Sequence, residues 1–169
     1  VPFTPVKGFN EKELARALNI KVRNLAAVKV FKEFAKNGEK GIFFCAGIQH
    51  AETMAKLLRD NGITAEHIYG SMAGEKRKNI LKASKAGEIQ VLCGADLLVR
   101  GYDDPEVYYA VLLTHSNSFV RVAQSGGRAT RLRRGPGRII LPKHARVIQF
   151  LDQYGSASRA PILFSEVAG

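Results

Sequence analysis

Arg128 and Arg131 stand three residues apart in the stretch 119–138, FVRVAQSGGRATRLRRGPGR. On a helix that spacing sets two guanidiniums on one face, one turn apart. Arginine stays charged at any working pH, and its planar fork matches phosphate oxygens. Gly126 and Gly127 just ahead carry no side chain, so a ligand can approach the backbone there. Gln124 adds an amide that both donates and accepts. An amide, a bare backbone and two stacked arginines make a phosphate-reading surface. A solvated basic helix end explains the same cations, which are favoured at helix C-termini.

A second such stretch runs Gly94-Ala95-Asp96-Leu97-Leu98-Val99-Arg100-Gly101-Tyr102-Asp103-Asp104-Pro105. Gly94 and Gly101 permit close backbone approach, and Asp96 or Asp103 can accept from a ribose hydroxyl or hold an arginine. Turn chemistry accounts for the same residues, since Gly, Asp and Pro are its usual members. His50 reads as a lone surface or capping histidine, and His67, His115 and His144 as bland. For Arg77 the plain alternative is an ion pair within its own helix. Tyr102, Tyr108 and Tyr109 are candidates for base stacking, but Tyr108 and Tyr109 sit in an apolar run, which favours packing.

These residues need a scaffold. Helical spacing predicts helices over 11–18 and 22–36, the second closed by Asn37-Gly38. The apolar run 41–46, GIFFCA, suits a strand buried on both faces. A helix over 49–61 follows, stopped by Asn61-Gly62. Strands over 64–69, 89–93, 107–113 and 138–141 then alternate with helices over 75–86, 118–124 and 145–153. Such alternation argues for an α/β domain, a parallel sheet with helices on both faces. Ligands bind such sheets at the carboxyl ends of the strands. The boundaries read as a lead-in over 1–38, a lobe over 39–154 and a tail over 155–169.

The chain of 169 residues carries a formal charge of +11. That balance favours a polyanion as partner and points to nucleic acid, DNA or RNA, rather than a membrane. No apolar run reaches the length of a bilayer span. Cys45 and Cys93 lie inside apolar runs and read as buried hydrophobes of a reducing compartment, cytoplasmic or nucleoid-associated. Neither CxxC nor paired-His spacing occurs, so no metal site is expected.

The ordered motifs of 40–151 resemble the second RecA-like lobe of superfamily-two helicases. Gly41-Ile42-Phe43-Phe44-Cys45 looks like the strand that opens that lobe. Tyr69-Gly70-Ser71-Met72, with Arg77 five residues on, looks like its hG-x-M-x-x-x-x-R element. The segment 91–105 looks like VLV-x-TD-x-x-x-x-G-x-D-x-P, and 124–131 like Q-x-x-GR-x-x-R. The resemblance implies a RecA-like fold and an ATP-dependent helicase or translocase. Arg131 and Arg128 would act as arginine fingers, and Gly101, Asp103 and Gln124 would line the nucleotide. Gly47, Gly70, Arg77, Gly94 and Ala95 would follow a nucleic-acid backbone. Ala95 replaces a frequent Thr and offers only its N–H there; Ser125 replaces a frequent Arg. Gln124 in place of His resembles the restriction-translocase and repair-helicase branches.

No G-x-x-x-x-G-K-[ST] and no D-E-x-D or D-E-x-H run occurs. In the family those parts belong to the first lobe, which would hold most of the ATP and Mg2+ and be the partner of this one. The expectation is therefore a half-site, inactive alone. Val1 in place of Met suggests a piece of a longer protein. A nucleic-acid-binding module without ATPase activity is the alternative. A dinucleotide-binding enzyme fits less well, because Gly47 opens no G-x-G-x-x-G turn.

Overall fold

The computed structural model describes residues 19–95, 104–114, 133–134, 140–141 and 146–150. The expected helices over 11–18 and 118–124 lie outside them. Three helices are described: α1 (Lys21–Phe34), α2 (Ile48–Asp60) and α3 (Gly74–Ala86). The strands are β1 (Lys40–Phe44), β2 (Ala65–Ile68), β3 (Val91–Gly94), β4 (Val107–Leu112), β5 (Arg133–Arg134), β6 (Ile140–Leu141) and β7 (Arg146–Gln149). Five of them form one sheet in the order β2-β3-β1-β4-β7, each neighbouring pair parallel.

The apolar run of β1 is continuous because both faces of that strand are covered. Side chains alternate across the pleat. Phe43, Val91, Cys93, Tyr109 and Val111 join one core with Ala27, Val28 and Phe31 of α1 and Ala51, Met54, Ala55 and Leu58 of α2. Ile42, Phe44, Leu92, Ala110 and Leu112 join a second core, with Met72 and with Ile80 of α3. Phe31 meets Phe43 and Tyr109 edge to face, at centroid distances of 5.3 and 5.5 Å. Gly41 makes room for that ring, since a Cβ there would lie 2.7 Å from Phe31 Cε2.

Tyr109 is a packing residue, not a stacking platform. It is buried, with its hydroxyl 2.9 Å from Phe34 O and 2.8 Å from Glu39 Oε2. Burial, and then the bond to Glu39, push its pKa up to about 12. Gly87 caps α3 in the left-handed region, φ 86°, a conformation that favours glycine at a helix end.

Two expectations are corrected. Within the expected helix over 145–153, the described residues Arg146–Gln149 form strand β7 instead, in register with β4 from Tyr109↔Arg146 to Leu112↔Gln149. Val147 and Ile148 are β-branched, and β4 has a row of backbone donors and acceptors that an outer strand satisfies. Ile140–Leu141 does form a strand, but it pairs antiparallel with Arg133–Arg134, apart from the parallel sheet. Both cysteines are buried and unbridged; burial raises the Cys93 thiol pKa first, and its hydrogen bond with Cys45 adds to that.

Candidate nucleotide and nucleic-acid interface

The sheet ends on a straight carboxyl edge. Phe44 pairs with Gly94 on one side and Leu112 on the other; Gly94 also pairs with Ile68, and Leu112 with Gln149. The ladder runs one step further through Cys45 N–H to Gly94 O (2.8 Å), Leu113 N–H to Phe44 O (2.9 Å) and Phe150 N–H to Leu112 O (3.2 Å). The loops after β1, β2 and β3 therefore leave from one line. Gly94 ends β3 at that edge, and Gly47, Gly70 and Ala95 lie in the loops that leave it.

Gly47 is the N-cap of α2, in an extended conformation, and its carbonyl accepts the Ala51 N–H at 3.0 Å. No side chain caps this helix and its first turn holds no acid. Its first amides and dipole therefore favour an anion at this end. Gly70 is exposed in a turn closed by Met72 N–H to Tyr69 O at 3.3 Å, and Met72 is buried as the plug of that turn. Tyr69 stacks on His67 at 5.6 Å.

Arg77 sits half-buried in the second turn of α3. Positions three and four away are Ala73, Gly74, Ile80 and Leu81, so a helical ion pair is not available to it. Among the described residues it makes no ion pair. Gly94 is buried as the last residue of β3, and Ala95 follows half-buried. The remaining candidates, Gly101, Asp103, Gln124, Arg128 and Arg131, lie outside the described residues, as do Asp96 and Tyr102. Asp104, just past that gap, is buried and bound to Lys40 Nζ at 3.0 Å.

His50, expected as a lone surface or capping histidine, is an interior residue. It is fully buried, and its Nδ1 accepts the Ala46 N–H at 3.2 Å. Its Nε2 lies 3.0 Å from Oδ1 of Asn24 on α1. An amide can only donate, so Nδ1 is the bare nitrogen and Nε2 carries the proton. Burial first, and the Arg23 charge second, lower its pKa to about 4, so it is neutral near pH 7. The signal was on α1: Asn24 interrupts the buried stripe Asn24, Ala27, Val28, Phe31, and a polar residue on an apolar face needs a partner. Arg23, one residue earlier, donates from Nη1 to Leu113 O at 2.8 Å.

The helicase conserved C-terminal domain family matches residues 21–133. The chain belongs to that family. It is the second RecA-like lobe of a superfamily-two helicase, as the motif order implied. It is 26% identical to the putative ATP-dependent helicase IRC3 of Saccharomyces cerevisiae, over 85% of this chain and 20% of that protein. It is 31% identical to the UvrABC system protein B of Fervidobacterium nodosum, over 75% of this chain and 18% of that protein. The lobe thus spans about a fifth of these relatives. Among solved structures it is similar to a putative HsdR subunit fragment of a type I restriction enzyme from Vibrio vulnificus, with TM-score 0.65 and 25% identity over 86% of this chain and 30% of that one. The C-terminal domain of the DEAD-box protein Dbp5 shares the fold at TM-score 0.59 and 19% identity, over 76% of this chain and 72% of that one.

Proposed function

We propose that this lobe completes the ATP site of a two-lobe helicase or translocase and holds the backbone of its nucleic-acid track. Arg131, with Arg128, supplies cations to the transferring phosphoryl group across the cleft. Gln124, Gly101 and Asp103 line the nucleotide. Gly47, Gly70, Gly94 and Ala95 present backbone, and Arg77 a guanidinium, to successive phosphates. Contact without base reading suits a machine that moves along any sequence.

What carries this reading is that β1, β2 and β3 end in register at Phe44, Ile68 and Gly94, so that Gly47, Gly70 and Ala95 follow within three residues of one carboxyl edge, beside a helix start with no side-chain cap. ATP and Mg2+ are assigned mainly to the first lobe. Among the described residues no three His, Cys, Asp or Glu side chains group as metal ligands. No helix among them is long and apolar enough to cross a membrane, and a cytoplasmic or nucleoid-associated setting accords with the nucleic-acid role. The net charge of +11 also accords with a nucleic-acid-binding module without ATPase activity.

ATP turnover separates the two readings. Residues 1–169 are to be assayed alone and with the first lobe, each with and without single-stranded nucleic acid. The motor reading expects turnover only when both lobes are present. Turnover by residues 1–169 alone defeats it, and silence in every combination favours the binding module.

A further inference from the structure

We infer that His50 is a positioning residue for nucleic-acid contact, holding the Ala46–Gly47 backbone at the carboxyl edge while Asn24 of α1 holds His50. This inference rests on the reading of Gly47 as a phosphate contact. The β1 ladder ends with Cys45 N–H on Gly94 O, so the next amide, Ala46, lies past the sheet. Its partner is His50 Nδ1, from the first turn of α2 at 3.2 Å. That bond closes a short ring around Gly47, the residue with the most backbone freedom to lose. Ordering Gly47 during folding removes that cost from binding.

The ring is anchored in one direction. His50 Nε2–H donates to Asn24 Oδ1 at 3.0 Å, and Asn24 Nδ2 donates to Asn19 Oδ1 at 2.6 Å. Asn19 Nδ2 donates to Thr53 Oγ1 at 3.3 Å, and Thr53 Oγ1 donates to Gln49 O at 2.8 Å. The chain therefore starts beside Gly47 and returns to the first turn of α2. His50 and Asn24 are both buried. Buried polar groups such as these two are costly unless paired and specify one geometry when paired, while the Asn19–Thr53 and Thr53–Gln49 bonds continue the chain at the surface. With Arg23 on Leu113 O, the first turn of α1 fixes the loop after β1 and the end of β4 together.

The test separates the two nitrogens of His50. An Asn at 50 places an acceptor near the Nδ1 position; a Gln places a donor near Nε2 and leaves the Ala46 N–H without an acceptor. Fluorescence anisotropy with labelled oligothymidylate and oligouridylate measures affinity, and thermal melting measures fold. The expected result is that His50→Gln weakens binding about tenfold, the scale of one lost hydrogen bond, while His50→Asn binds within about twofold of the parent even if it melts lower. Affinities that simply follow the melting temperatures of both variants, or parental binding by His50→Gln, overturn the inference. Arg77→Ala is the control on the underlying reading. If Arg77→Ala weakens binding and His50→Gln does not, the positioning role alone fails; if neither does, the nucleic-acid reading fails first. Should His50→Gln not fold, hydrogen exchange at the Ala46 amide of the parent chain decides. Protection like that of β1 supports the inference, and exchange at the rate of the exposed Gly70 turn overturns it.

Discussion

Lys40 Nζ lies 3.0 Å from Asp104 Oδ2, with side-chain exposures of 12% and 5%. The same ammonium donates to Lys85 O at 3.2 Å, in the last turn of α3. Asp104 Oδ1 in turn accepts the Glu106 N–H at 2.9 Å. One cation thus ties the amino end of β1 to the close of α3 and to the entry into β4. Asp104 directly follows Asp103, one of the residues proposed to line the nucleotide.

Removing one partner leaves the other charge buried. Lys40→Met is expected to destabilise the lobe by about 3 kcal/mol, at the lower end for a broken buried pair because Lys40 keeps some exposure. The urea midpoint measures this. A midpoint equal to the parent's would show that the pair is as weak as an exposed one.

Gly41 is expected to resist even a methyl group. The added Cβ would lie 2.7 Å from Phe31 Cε2, inside a ring cluster with Phe43 and Tyr109 that has little room to shift. Gly41→Ala should cost roughly 1–3 kcal/mol by overpacking. Gly74, which has nothing near its Cβ position, is the reference site for the same substitution. Equal melting temperatures for the two variants would contradict the packing described.

His50 makes stability depend on pH in a stated direction. Folded, it titrates at about 4; unfolded, at about 6.5. Between those values the unfolded chain binds more protons, so stability falls as pH drops through that window. The full difference is worth about 3 kcal/mol. Unfolding free energies at pH 7 and pH 5, where most carboxylates are still ionised, should show much of this loss in the parent and little in His50→Asn. A loss of equal size in both would assign it to other groups.

How far the sequence reached depended on the kind of signal. GIFFCA was legible because a strand covered on both faces must be apolar throughout, and Gly62 and Gly87 marked helix ends through backbone conformation. The edge at which Phe44, Ile68 and Gly94 end in register was legible only through strand–helix alternation, which places loop starts without their register. β7 was misread because Arg146-Val147-Ile148-Gln149 fits either period; the open side of β4 decided it. His50 was undervalued because its partners, Asn24 and the Ala46 amide, lie on two other elements, and no local pattern joins them.

The proposed role of Arg131 underlies the reading of this lobe as half of an ATP site. Its most direct test is nucleic-acid-stimulated ATP turnover by the intact two-lobe protein carrying Arg131→Ala, with nucleotide affinity measured alongside. The expected result is a fall in kcat of about a thousandfold or more with ATP binding retained, the scale found for arginine fingers elsewhere. Near-parental turnover would contradict it.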